Sequence, residues 1–220
     1  MREVKPGVSQ STERQKPARI PNTVRTESTR ATLLDATITA LARYGYKGAT
    51  SQRIAQLSGL TRGAQKHHFA TKSALFTEAL VDLQGRNLRN LQLTVARGSD
   101  PDIGELLRLI WPTLTDDLYI ASMELRMAAR IDNELREALI PTEQQIGRRI
   151  REFLAMQLDD GRVPHERLLE VGEMASNALR GMALQRMLYS DELREKRQIQ
   201  TLEESMREFI RFHTRQGPSA

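Results

Sequence analysis

One short stretch of this 220-residue chain, residues 50–72, combines hydrogen-bond donors of several kinds and reads TSQRIAQLSGLTRGAQKHHFATK. Guanidinium, ammonium, imidazole, amide and hydroxyl groups can all donate to phosphate oxygens or to the edges of DNA bases. The types and spacing of these side chains predict a surface that binds double-stranded DNA. The candidate donors are Thr50, Ser51, Gln52, Arg62, Gln65, Lys66, His68 and Lys72.

These donors need rigid elements to hold them in a groove, and the same stretch predicts two short helices. Thr50 and Thr61 stand where N-caps are needed for helices over 51–58 and 62–69. Gly59 fits the left-handed turn between the two helices. Two helices of this length joined by a glycine-containing turn are typical of a helix-turn-helix, whose second helix enters the major groove.

Apolar residues at helical spacing provide a core for this head. They begin in a preceding helix, which we expect to stop at Gly45. Gly63 and Ala64 are small and would let the backbone of the second short helix approach the floor of the groove. The expected core residues are Leu34, Ile38, Leu41, Ile54, Ala55, Leu57, Leu60, Ala64 and Phe69.

Beyond the head, apolar residues keep a helical spacing, and no run of β-branched residues alternates with period two. The sequence therefore predicts an all-α fold of about nine helices, with a three-helix head and a larger C-terminal helical bundle. Residues 1–26 are basic and poor in apolar side chains, which predicts a disordered arm. The expected domains are the arm at 1–26, the head at 27–75, the body at 76–215 and a disordered tail at 216–220.

Particular helices of the body are expected from their apolar stripes. A long helix from Thr71 to about residue 97 would belong to both domains. A buried stripe is expected at Ile120, Met123, Met127 and Ile131, and Pro141 should kink the helix that follows.

The body also offers residues for an apolar ligand site. Methionine is flexible and polarisable, so it suits pockets that close around varied apolar molecules, although it also serves as ordinary core filling. Trp111 and Tyr119 would add polar tips on aromatic bodies. We expect several of these side chains to converge on one mainly apolar cavity for a small-molecule effector: Trp111, Tyr119, Met123, Met127, Met174 and Met182.

The last two expected helices have apolar stripes that could form either an intramolecular core or an interface between two chains. Small residues such as Ala175 and Ala178 would permit close approach of helices. The length of the stripes favours a homodimer. The expected interface residues are Val171, Ala175, Leu179, Met182, Leu202, Met206 and Phe209.

Several classes of function are disfavoured. The chain has no cysteine, which excludes disulfides and thiolate chemistry. His67 and His68 are adjacent and point to different sides of a helix, so no metal site is expected. The sequence has no nucleophile or cofactor motif that would indicate an enzyme. The polar N-terminus and the lack of a long apolar run predict a cytoplasmic protein without a membrane span. The net charge of +5 favours an anionic partner.

Residues 29–79 resemble the TetR family of transcriptional regulators. The landmarks are ARYGYKGAT at the end of the first helix, the helix pair around IAQLSGLTRG, the HHF that closes the second of these helices, and the Lys72 that follows. The chain departs from the family at Gln65 and Lys66, where an aromatic residue is usual.

The resemblance implies a repressor that binds a palindromic operator as a homodimer and leaves it when an effector occupies the body. It implies phosphate contacts from Thr50, Lys66, His68 and Lys72, and base contacts from Gln52, Arg62, Gly63, Ala64 and Gln65. A second hypothesis, suggested by the departure at Gln65 and Lys66, is a helical ligand-binding or interaction protein whose head no longer binds DNA specifically.

Overall fold

The computed structural model describes residues 22–97 and 102–216, and within these ranges every regular element is helical. This confirms the predicted all-α fold. The predicted arm lies outside the described residues up to residue 21, whereas residues 22–26 are already helical, and the tail from residue 217 also lies outside them. The elements are α1 Asn22–Gly48, α2 Ser51–Ser58, α3 Arg62–His68, α4 Lys72–Arg97, α5 Ile103–Ile110, a 3₁₀ turn Trp111–Leu114, α6 Asp117–Ala128, α7 Asn133–Leu158, α8 His165–Arg186 and α9 Glu192–Gln216.

The helix-turn-helix forms where its capping residues predict it. The hydroxyl of Thr50 accepts a hydrogen bond from the backbone N–H of Arg53 at 3.3 Å, and that of Thr61 accepts one from Ala64 at 3.1 Å. Each cap satisfies an amide that the first helical turn leaves without a partner. Gly59 has a φ of 67°, which confirms the left-handed turn between α2 and α3.

The head core is largely as predicted. Leu34, Ile38, Leu41, Ile54 and Phe69 are all buried. Leu57, which we expected to point inward, is 38% exposed. Helix α2 packs on α1 and α3, so a residue at the margin of its packed face remains open to solvent.

Head and body share one apolar cluster, because α6 and α7 pack against the head helices α1 and α4. The face of α6 that enters this cluster carries Leu118, Ala121 and Leu125. The stripe that we predicted on this helix is therefore wrong: Met127 is 59% exposed, and Ile131 is 84% exposed and lies beyond the end of the helix. Both stripes have helical spacing, and the position of the head decides which of them is buried.

A second cluster joins α5, α7, α8 and α9 and corrects the expected dimer interface. Val171, Ala175, Leu179, Leu202 and Met206 are at most 8% exposed within a single chain, so they form the core of the protomer. Met182 and Phe209 are half-buried and pack against this cluster. The alternative of an intramolecular core therefore applies to these stripes.

Helix α7 continues through Pro141 as one element. Proline cannot donate the hydrogen bond that the carbonyl of Glu137 would otherwise accept. Pro141 and Glu137 are both exposed, so solvent can reach that carbonyl.

Candidate nucleic-acid interface and body cavity

The exposed surface of α3 carries the predicted major-groove residues. Arg62, Gly63 and Lys66 are exposed, and Ala64 and His68 are half-buried. The side chains of Arg62 and Lys66 make no hydrogen bond or ion pair with any other described residue. A Cβ on Gly63 would meet only the Thr61 hydroxyl, at 3.7 Å, so the backbone here is open to close approach. Thr50 and Gln52 are exposed beside this surface at the start of α2.

Gln65 does not belong to this surface, which corrects its expected role as a base contact. The side chain is 7% exposed, and its amide nitrogen donates to the hydroxyl of Ser51 at 3.2 Å. Its carbonyl oxygen is buried without a hydrogen-bond partner among the described residues. Gln65 and Phe69 lie one helical turn apart on the buried face of α3, so the amide links α3 to α2.

We predict that Gln65→Met will leave operator affinity unchanged within about twofold and will maintain or raise the free energy of unfolding. The substitution removes a buried carbonyl without a partner, a group that costs about 1–3 kcal/mol when unsatisfied. Ser51 is half-buried, so its hydroxyl can accept a hydrogen bond from water in place of the lost Gln65 amide. Fluorescence anisotropy with operator DNA and urea unfolding would measure the two quantities. A relaxed base preference in this variant would show instead that Gln65 reads DNA directly.

Lys72 links the start of α4 to the end of α1. It is half-buried, and its ammonium donates to the backbone carbonyl of Tyr46 at 3.1 Å. The same ammonium lies 4.5 Å from the ring centre of Tyr46 and 4.9 Å from that of Phe76. Burial lowers the pKa of Lys72, against the opposing charge of Asp132. Its predicted phosphate contact stays a prediction, and the structure adds a bond within the head.

Tyr46 connects the head to the body. Its backbone N–H donates to the carboxylate of Glu124 on α6 at 3.0 Å, and its hydroxyl donates to Asp132, the N-cap of α7, at 2.6 Å. Burial and the hydrogen bond to Asp132 raise the pKa of Tyr46 to about 12, so the phenol keeps its proton at neutral pH and continues to donate. These partners are 78 and 86 residues away in sequence, and no local pattern indicated them.

The body contains a cavity of about 80 Å³ between α4, α5, the 3₁₀ turn, α6, α7 and α8. Of the six predicted ligand residues, only Tyr119 lines it. Met127 and Met174 are 59% and 42% exposed, so they point away from the interior, and Trp111, Met123 and Met182 are half-buried outside the cavity wall. The cavity is lined instead by leucine, isoleucine and phenylalanine from these helices, with a few polar side chains.

No group of three or more histidine, aspartate or glutamate side chains in residues 22–97 and 102–216 is arranged to hold a metal ion. No described helix is long and apolar enough to span a bilayer.

Comparison with known proteins agrees with the helix-turn-helix geometry. The family model for bacterial regulatory proteins of the tetR family matches residues 33–79, from α1 to the first turns of α4. The transcriptional repressor AcnR of Corynebacterium efficiens is 30% identical over 146 residues, which cover 66% of this chain and 73% of that protein. The chain belongs to the TetR family. It is therefore a TetR-family transcriptional regulator, of a family that binds DNA operators.

Other transcriptional regulators extend the match over the body. The regulator CymR of Pseudomonas putida is 25% identical over 199 residues, which cover 89% of this chain and 98% of that protein. A transcriptional regulator of known structure from Pseudomonas aeruginosa superposes with a TM-score of 0.68 at 21% identity, over 90% of this chain and all of that one. A TetR-family regulator from Rhodococcus superposes with a TM-score of 0.66 at 17% identity, over 84% and 99% of the two chains. These structures share the fold of a helix-turn-helix head on a helical body.

Proposed function

We propose that this TetR-family regulator is a ligand-responsive repressor that binds a palindromic operator as a homodimer. The observation that carries the proposal is the course of α4. This helix begins directly after the helix-turn-helix, with Phe76 buried in the head core, and its residues Gln84, Asn87, Leu88 and Leu91 line the cavity of the body. A molecule in the cavity would therefore touch the helix that positions the head.

The second connection between cavity and head runs through α6. Leu118 and Tyr119 on α6 line the cavity, and Glu124 on the same helix accepts the hydrogen bond from Tyr46. The repressor would release DNA when a ligand displaces α4 and α6, because recognition helices of a dimer must match half-sites about 34–36 Å apart. A small change in their separation loses contacts at both half-sites.

The homodimer would use the exposed faces of the last two helices, since the stripes predicted from sequence are internal. Met174 and Leu184 lie on the exposed side of α8 and are 42% and 53% exposed, and Leu188, just beyond the end of this helix, is 88% exposed. Phe212 on α9 is 57% exposed. Apolar side chains aligned along a helix face are typical of an interface with another helix.

The test of DNA binding is Arg62→Ala, which should weaken operator binding by about 1–3 kcal/mol and relax base preference at one position. Arg62 is exposed near the N-terminal end of α3, and its guanidinium has no described partner to lose. Arg148→Ala is the matched control, because Arg148 is also exposed but lies on α7, outside the helix-turn-helix. Wild-type affinity should fall steeply with salt in anisotropy titrations. An Arg62→Ala protein that binds the operator as tightly as wild type would contradict the assignment of α3.

A further inference from the structure

The cavity wall contains one cationic side chain, Arg180 on α8, in surroundings that are otherwise apolar or neutral. The polar neutral residues of the wall are Gln84, Asn87, Thr113, Tyr119 and Ser176. Apolar side chains from five helices and the 3₁₀ turn make up the rest: Leu88, Leu91, Leu107, Ile110, Leu114, Leu118, Ile150, Phe153, Leu154, Ala175 and Leu179.

The guanidinium of Arg180 has no partner within the described part of the protein. It makes no hydrogen bond or ion pair there, and only the backbone carbonyl of Arg180 is used, as acceptor for the Tyr119 hydroxyl at 2.5 Å. Arg180 is half-buried, and burial lowers the pKa of its side chain, with the charge of Arg126 acting in the same direction. A partly buried cation without a hydrogen-bonded partner is poorly stabilised, so an anion that reached it would be bound favourably.

The acids near Arg180 are already paired with other arginines. Glu143 attracts Arg180 electrostatically, but its carboxylate accepts two hydrogen bonds from Arg126, at 3.1 and 2.5 Å. Arg151, whose charge also acts on Arg180, is 3.9 Å from the carboxylate of Glu173. Among these described side chains three arginines share two carboxylates, so the Arg180 guanidinium has no carboxylate of its own.

Ser176 lies one helical turn before Arg180 on α8 and also lines the cavity. Its hydroxyl has no hydrogen-bond partner among the described residues. A carboxylate in this corner could accept from the guanidinium and from the hydroxyl together, while the apolar wall encloses the rest of the molecule.

We propose that the cavity binds an amphipathic monoanion, an apolar molecule bearing one carboxylate, which is held by Arg180 and Ser176. The inference rests on the proposed ligand response and names the chemical class of its effector. The cavity of about 80 Å³ is smaller than the roughly 150 Å³ that admits benzene in an engineered protein core. A ligand of that size must therefore push the walls apart, and α4 and α6 are two of those walls.

The experiment uses the 220-residue protein and compares probes that share an apolar part and differ in their polar group and its charge. Benzoate, benzyl alcohol and benzylamine form one series, and hexanoate, hexanol and hexylamine form the other. Thermal shift and isothermal titration calorimetry would be measured for wild type, for Arg180→Met and for Arg148→Met. Methionine fills much of the space of the arginine stem and needs no counterion, so Arg180→Met should fold at least as well as wild type.

We expect a carboxylate to raise the melting temperature of wild type and of Arg148→Met more than its matched alcohol or amine. Arg180→Met should bind that carboxylate at least tenfold more weakly, a factor that corresponds to about 1.4 kcal/mol. Equal carboxylate affinity in Arg180→Met, or stronger binding of the alcohol or amine, would overturn the anion site while leaving a ligand-responsive body. No binding of any probe by a protein that still binds DNA through Arg62 would overturn the anion site and leave the DNA-binding head intact.

Discussion

Replacing Gly45 with alanine is expected to lower the free energy of unfolding by about 2–4 kcal/mol and to weaken operator binding. Gly45 has φ 66° and ψ 176°, a conformation that is essentially restricted to glycine. A Cβ on this residue would lie 2.9 Å from a carboxylate oxygen of Glu124, the group that accepts the hydrogen bond from Tyr46. The new methyl group would therefore strain the backbone and displace the bond between head and body.

Gly59 provides the matched control for this prediction. It also has a positive φ, 67°, but a Cβ there would have no atom within 4 Å. Gly59→Ala should therefore cost only the left-handed backbone strain, about 1–2 kcal/mol. Chemical denaturation and operator titrations of both variants, repeated in a Glu124→Ala background, separate the steric contribution from the backbone contribution. An equal cost of Gly45→Ala with and without Glu124 would show that the contact between head and body is not involved.

Met206→Ala is expected to lower the free energy of unfolding by about 2–5 kcal/mol, the range for removing a large buried side chain. Met206 on α9 has no exposed surface and packs in the cluster formed by α5, α7, α8 and α9. The loss combines the transfer free energy of the deleted atoms with the cavity that they leave. Urea unfolding followed by circular dichroism would measure it.

Two exposed residues separate this effect from dimerisation. Met156→Ala on α7 should change stability by no more than about 0.5 kcal/mol, since the side chain is 59% exposed. Leu184→Ala, at a residue 53% exposed on α8, should leave the protomer folded and weaken the homodimer in sedimentation experiments. If Met206→Ala changed only the dimerisation constant and left unfolding unaffected, Met206 would belong to an interface after all.

Features set by neighbouring residues in sequence were predictable. Thr50 and Thr61 cap their helices by accepting hydrogen bonds from amides three residues away, and Gly59 is needed for a positive φ at the turn. Each of these features involves only a few neighbouring residues, so a short stretch of sequence predicts it. The boundaries of α2 and α3 followed from the same windows to within one residue, as did the start of α4 after Thr71, whereas α1 begins within the predicted arm and is assigned up to Gly48, beyond the expected stop at Gly45.

Burial depends on what packs against a helix, and the sequence of the helix alone does not contain that information. Helix α6 has two apolar faces, and the head covers the one with Leu118 and Leu125. Met206 is apolar and lies on the stripe of α9, but periodicity cannot tell a partner within the chain from one in a second copy. The polarity of Gln65 predicts an outward side chain, whereas in the structure its amide donates to Ser51 on α2 and the side chain is buried.

The candidate ligand site was the least predictable part for the same reason. A cavity is the space left between helices that meet from distant parts of the chain, and Arg180 becomes notable only because its guanidinium has no partner in the described structure. The methionines suggested an adaptable pocket, yet Met127 and Met174 are turned to the surface.

At the junction around Tyr46, apolar packing and hydrogen bonds have different effects on how the head is held. The apolar cluster shared by head and body holds them together, but such attraction has no preferred direction and tolerates small rotations. The hydrogen bonds from Tyr46 to Glu124 and Asp132 weaken steeply with angle, so they are satisfied at one orientation of the head. A displacement of α6 would weaken the bond to Glu124, and a displacement of the start of α7 would weaken the bond to Asp132, while most apolar contact survives. The head therefore has one preferred orientation. Loss of these hydrogen bonds would free that orientation without detaching the head from the body.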